Sequence, residues 1–279
     1  MTFSLRAGFA ALVMTAMTVG QPAQATVQDT ERLEEFLEIT GFDVALESIR
    51  LSAESAPLML GLEADAFGAR WTRLADDVFD TGLMHDEAIG ILSQTLDDEM
   101  LTHAVDFYTS DLGRRLVEVE NASHLEEDDD LKQEAGEAIV AGLVRIGSPR
   151  LEEIKRLNAA TGSEDASVHA IHEVQVRFLM AAAVAGVIEL QMDEKDLREN
   201  LERQEGELRR SLQLSALSGS AYTYQAFSDD EISDYADALE HPTMKTVYAL
   251  MNAVQFEIMA GRYEALAAQL RGLQPDQEL

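Results

Sequence analysis

Phe107-Tyr108-Thr109-Ser110-Asp111-Leu112-Gly113-Arg114-Arg115-Leu116 reads as a tight corner between two helices. Upstream of it Met100, Leu101, Ala104, Val105 and Tyr108 recur at the three- and four-residue spacing of one helix face, behind a cap at Asp97. Ser110 starts the next helix, because its hydroxyl can accept a hydrogen bond from a free first-turn amide, an interaction worth about 1 kcal/mol. Asp111 stands where the positive end of the helix dipole favours an anion. Gly113, also in the first turn, costs helix propensity, so its expected use is to let the preceding helix come close. Leu112, Leu116 and Val119 carry the apolar face onward.

A shift of 131 residues (Ser110 to His241) lays this corner on a second one. Leu96-Asp97-Asp98-Glu99-Met100 falls on Phe227-Ser228-Asp229-Asp230-Glu231, a helix cap on a capping box. Ser110-Asp111-Leu112-Gly113-Arg114 falls on His241-Pro242-Thr243-Met244-Lys245. Pro242 then occupies a first helical position, where the missing N–H costs nothing. Met244, Val247, Met251, Val254 and Ile258 predict one long helix over Thr243–Leu270. Chance likeness between amphipathic helices is the competing explanation; the shared order of cap, corner and long helix favours duplication. The expected fold is all-α. Two tandem related modules, 26–147 and 148–279, form helical bundles with a long helix after each corner.

The rest of the chain agrees with this class. It has only five prolines, and no alternating β-branched run long enough for a sheet. Trp71, the single tryptophan, recurs with Leu74, Val78 and Phe79 at helical spacing, and is expected as a core anchor and not as a ligand platform. Gly147-Ser148-Pro149 ends the first half, with Ser148 capping the next helix. A helix is predicted over Ala166–Met192; its apolar run, Phe178–Leu190, is too short for a membrane span. A second is predicted over Asp193–Leu217, with Ser218-Gly219-Ser220 as a break after it.

The first residues predict export. Arg6, the apolar run Phe9–Val19 and Ala23-Gln24-Ala25 have the order of a signal peptide, residues 1–25, cleaved after Ala25. An uncleaved anchor is the alternative, but the run falls short of the about 20 residues a spanning helix needs. Cysteine is absent, so neither disulfides nor a lipid-modified cysteine is available. The expected location is the periplasm, with full secretion left open. Fifty-two Asp and Glu against 21 Lys and Arg give a net charge of −31. That surplus repels phosphate backbones and anionic lipid, so nucleic acid is not an expected partner. It suits solubility, or attraction for a cationic partner.

Phe107, Tyr108, Ser110, Gly113, Arg114 and Leu116 resemble the motif of a bacterial exported family, domain of unknown function 2059. That motif is an aromatic pair, a short polar link, Ser-Pro, any residue, Gly, then a basic and apolar helix start. Asp111 stands where proline is usual. In the second copy Pro242 and Lys245 match, while His241 and Met244 replace the serine and glycine. The series Trp71, Val78, Phe79, Asp80, Met84 is similar to the family's upstream segment. The resemblance implies a helical exported protein with no assigned reaction.

Reactive sets are sparse in the sequence. His169 and His172 share a helix face with Glu173 beside them, but a zinc site needs three or four converging ligands. His103, His124 or His241 would have to complete it from distant segments. There is no His-Glu-x-x-His sequence and no Gly-x-Ser-x-Gly elbow. The run Glu126–Asp130 lacks calcium-loop spacing and reads as a solvated helix face. Arg114 and Arg115 are expected to pair with nearby acids before gripping a partner. No catalytic residue and no cofactor is expected. The expected function is a non-catalytic interaction or ligand-holding module for a protein or a small apolar molecule, eleven methionines supplying adaptable apolar surface. A metal-assisted hydrolase using His169 and His172, and a chaperone-like envelope-stress protein, are the alternatives.

Overall fold

The computed structural model describes residues 27–53, 56–61, 69–126, 128–162 and 164–270; the segment read as a signal peptide, 1–25, lies outside them. The described residues fold into helices without strands. In chain order these are α1 (Val27–Thr40), α2 (Phe42–Ser52), α3 (Ala56–Met59), α4 (Ala69–Val78), α5 (Thr81–Thr95), α6 (Asp98–Tyr108) and α7 (Asp111–His124). There follow α8 (Asp129–Ile146), α9 (Arg150–Thr161), α10 (Glu164–Ala185), α11 (Glu194–Thr223), α12 (Asp229–Glu240) and α13 (Pro242–Gln269). None is long and apolar enough to cross a membrane.

Both corners form as the residues dictate. Asp97 caps α6 through the Met100 amide at 2.9 Å, and Ser110 caps α7 through the Gly113 amide at 3.0 Å. Ser228 and Glu231 make a full capping box before α12. His241 caps α13, its Nδ1 accepting from the Thr243 amide at 3.3 Å, and Pro242 follows, exposed, at the first turn. Leu101 and Ile232, Gly113 and Met244, and Leu116 and Val247 stand at equivalent places in the two corners and are all buried. The corners also touch: the His103 ring on α6 stacks on His241, centroids 4.3 Å apart.

α13 is the axis of the packing. It lies along α10 and also meets α4, α5, α6, α9 and α12. One cluster of buried apolar side chains runs from Leu33 on α1 to Leu270 after α13, with Trp71 inside it. Tyr263 on α13 joins its two sides, meeting Phe79 and Phe178 edge to face at 5.3 Å each. Arginines clamp the outside. Arg177 on α10 reaches Glu257 (3.0 Å) and Glu264 (2.9 Å) on α13, and Arg262 on α13 holds Glu87 on α5. Arg156 on α9 holds Glu240 at 2.6 Å on α12.

Three places differ from the sequence reading. Only the second corner is followed by a long helix: α7 ends at His124 after 14 residues, and Leu125, Glu126 and Asp128 connect it to α8, Asp128 serving as the cap of α8 and not as part of a solvated helix face. α10 stops at Ala185 and not at Met192, because Gly186 turns left-handed (φ 74°) and Val187 donates back to Ala182 O at 2.9 Å. That is the arrangement that commonly closes a helix at glycine. α11 runs through Ser218-Gly219-Ser220 to Thr223 without a break. There Ser218 is buried against α8, where a Cβ on Gly136 would lie 2.2 Å from Ser218 O. Packing overrides the local preference of these small residues for a turn.

A Cβ on Gly113 would lie 2.3 Å from Phe107 O and 2.6 Å from Tyr108 Cα, both backbone atoms that cannot step aside. Gly113→Ala is therefore expected to destabilise the protein by about 1–3 kcal/mol in urea unfolding. Gly90→Ala, on an exposed part of α5 with nothing within 4 Å of the added methyl, is the control. It should stabilise by roughly 0.5–1 kcal/mol.

Candidate functional site

The first corner places Tyr108 at the end of α6 and Glu120 three turns along α7. The second half sends in Tyr224, the residue that ends α11, with Tyr235 of α12 and Tyr248 of α13. Their oxygens converge. Oε1 of Glu120 accepts from Tyr224 OH at 2.7 Å and from Tyr235 OH at 2.9 Å. Tyr235 OH also lies 3.0 Å from Tyr248 OH and 3.2 Å from Tyr108 OH, and Tyr108 and Tyr248 are hydrogen-bonded to each other. Phe107 stacks flat on Tyr235 (5.7 Å, 6°) and meets Tyr108 edge-on at 5.1 Å, which fixes two of the rings from one side. Arg115 covers the outside, 4.9 Å over the Phe227 ring and 2.6 Å from Glu231, whose carboxyl it holds down at about 2 with help from Ser228.

No cation pairs with Glu120 among the described residues. Desolvation therefore dominates and lifts its carboxyl to about 7, against the opposing pull of the Tyr224 and Tyr235 hydroxyls. Burial also raises Tyr108, Tyr224, Tyr235 and Tyr248, so these phenols keep their protons.

Two clefts meet at Tyr224. The smaller, about 590 Å³ between α7, α8 and α11, is lined by Glu120, Ser123, His124, Lys132, Thr223 and Tyr224. Lys132 Nζ donates to Ser123 O at 2.9 Å across it, and burial followed by the Lys132 charge lowers the His124 imidazole. The larger, about 1030 Å³ between α9, α10, α11 and α13, has Leu157, Leu212, Leu217 and Phe256 with Tyr224 along its wall. Asn158 and Ser220, joined at 2.6 Å, and Asn252, which donates to Thr161 O at 2.9 Å, are among its polar groups, and Lys155, Glu164, Asp165, Ser167, Arg209 and Gln213 add more. A concave site that combines an apolar wall with fixed polar groups is a usual form for holding a small molecule.

Of the residues singled out in the sequence, Tyr108 is in the cluster and Phe107 braces it. Ser110 and Gly113 shape the corner that carries Glu120, and Leu116 is buried beneath it. Arg114 stays outside, bound to Asp111 and to Thr109 O, and Pro242 only starts α13. His169 is exposed and His172 half-buried, while Glu173 is taken by Arg198 at 2.7 Å. Among the described residues no group of three or more His, Asp or Glu is placed to hold a metal ion. Glu120, Tyr224, Tyr235 and Tyr248 escaped sequence reasoning. Tyr235 and Tyr248 do sit on the buried faces of α12 and α13, and polar-tipped aromatics inside otherwise aliphatic stripes are the signal that would have found them.

The raised Glu120 carboxyl makes folding take up a proton. Its stabilising effect is fully present below the unfolded carboxyl value, near 4.5, and is lost as the pH rises through about 7. Wild-type stability should fall between pH 5 and 8 by at most about 3 kcal/mol from this group. Glu120→Gln should remove that part of the slope. Urea midpoints of both proteins across the range check it.

Searches of curated proteins and of solved structures find no match to the chain. Residues 83–141, which hold α5, α6, the first corner, α7 and Glu120, match the model of the family described as an uncharacterized protein conserved in bacteria, DUF2059, the family that the corner at Phe107–Leu116 resembles.

Proposed function

We propose that the protein is an exported, periplasmic helical module that holds a small, mostly apolar molecule without reacting with it. The observation that carries this reading is the cleft between α9, α10, α11 and α13, large enough for a drug-sized ligand. Its charged lining balances, Lys155 and Arg209 against Glu164 and Asp165, with Arg209 2.5 Å from Asp165 and 3.9 Å from Glu164. A neutral ligand fits such a lining better than an ion does. The order of Arg6, Phe9–Val19 and Ala23-Gln24-Ala25 supports export. The equal spacing of caps and the matching burial at the two corners support descent of modules 26–147 and 148–279 from one helix–corner–helix unit, now sharing a core.

Titration of the purified protein with the neutral fluorescent amine N-phenyl-1-naphthylamine tests the cleft. Saturable binding is expected, weakened at least roughly tenfold by Leu217→Glu, which sets a charge in the apolar wall. Binding that is absent, or untouched by the substitution in a protein with unchanged helical circular dichroism, overturns the reading. Export is checked by fractionating a bacterial host that makes the full chain. A periplasmic product beginning at Thr26 is expected; a membrane-bound product retaining residues 1–25 overturns that part.

A further inference from the structure

The five oxygens around Glu120 are one proton short. The contacts Tyr224–Glu120, Tyr235–Glu120, Tyr235–Tyr248, Tyr235–Tyr108 and Tyr108–Tyr248 each need a hydrogen, and the tyrosines supply four between them. With the carboxylate ionised, Tyr235 spends its proton on Glu120. Tyr108 and Tyr248 then have two protons for the three contacts left. A proton on Glu120 completes the set. The carboxyl donates to the Tyr235 oxygen, and Tyr235, Tyr248 and Tyr108 donate around their own ring. Tyr224 still donates to Glu120 in this arrangement, but to a neutral acceptor, and hydrogen bonds to ionised groups are roughly twice as strong.

We propose that Glu120 is a proton-binding site, and that its charge sets how firmly the larger cleft holds its occupant, through Tyr224. This rests on the ligand-holding reading above. Tyr224 is the physical link, since its hydroxyl is on Glu120 while the residue lines both clefts. Ionised Glu120 holds Tyr224 firmly and so keeps the cleft wall in place. Protonated Glu120 loosens it, so binding weakens as the pH falls. The groups facing Glu120 do not substitute for it. Tyr108, Tyr235 and Tyr248 come from α6, α12 and α13, and their phenols stay protonated. Asp130 and Lys132 line the smaller cleft from α8, and the His124 imidazole, one turn along α7, is lowered by burial and then by the Lys132 charge. α2 covers the far side of α7, where Gly41 sits against Asn121. By linkage an occupant must also make Glu120 easier to ionise.

Two measurements on the intact mature chain decide the matter. The Glu120 carboxyl carbon, followed by NMR and assigned by its loss in Glu120→Gln, is expected to titrate near neutral pH, well apart from the exposed carboxylates. The affinity for N-phenyl-1-naphthylamine should rise about fivefold or more from pH 5.5 to 8.5 in the wild type. It should stay at the low-pH level in Glu120→Gln, whose amide imitates the neutral carboxyl, and be flat with pH in Tyr224→Phe. A Glu120 signal that titrates with the bulk below pH 5 overturns the proton site whether or not the probe binds. An unchanged pH dependence in Glu120→Gln overturns the coupling. A wild type that binds no probe at any pH sinks the ligand reading and the coupling with it, while the carbon titration alone still decides the proton site.

Discussion

A carboxyl group drawn largely out of water, at the floor of a cleft, needs donors from the protein, and Oε1 of Glu120 finds them in Tyr224 and Tyr235. That requirement ties the molecule together. Glu120 stands on α7, which the first corner aims; its donors stand on elements around the second corner, and Tyr108 and Tyr248 extend the network to α6 and α13. Removing one member while the rest stay packed would leave polar groups unpaired among the rings, each at a cost of about 1–3 kcal/mol. The aromatic contacts give the knot its geometry. Phe107 lies flat on Tyr235, and the histidines of the two corners stack on one another.

The outer surface meets the opposite problem. With 52 acids and 21 bases the chain repels itself, and its few cations have to be placed with economy. They are largely arginines set between elements. Arg150 reaches from α9 to Asp229 (2.7 Å) and the Tyr224 carbonyl (2.6 Å), and so fixes the turn that presents Tyr224 to Glu120. Arg115 does the same for the start of α12 through Glu231. Singly such exposed pairs contribute little, but the planar guanidinium can bind two partners at a fixed angle, and that gives position more than energy. The acidic surface and the neutral cluster are thus one design: charge is kept outside and arranged, while the interior holds phenols and one carboxyl.

Much of this was legible in the residues. Ser110, Gly113 and Pro242 foretold both corners because capping and first-turn chemistry are local, and a local rule can be read without knowing the fold. Trp71 in the core and the stripe Met244–Ile258 followed from periodicity alone. The end of α10 and the unbroken α11 did not, since each depends on a neighbour: Ser218 stays helical because Gly136 lies beneath it. The cluster was hidden for a related reason. Glu120 sits among Glu118, Asn121 and Ser123 and looks like one more acid on a solvated face. Only the fold brings Tyr224, Tyr235 and Tyr248 around it from more than a hundred residues away. The histidines illustrate the converse, because His169 and His172 share a face by spacing, yet the fold gives them Glu173 already bound to Arg198.

If the Glu120 cluster joins the two sides into one cooperative body, the sides cannot unfold apart. The direct measurement is equilibrium urea unfolding at neutral pH with one probe on each side. Trp71 fluorescence reports α4, and a fluorine label on a tyrosine of α12 or α13 reports the other. The account predicts a single transition with superimposable curves. Two transitions with separate midpoints, the Trp71 signal changing while the labelled tyrosine keeps its folded resonance, would contradict it.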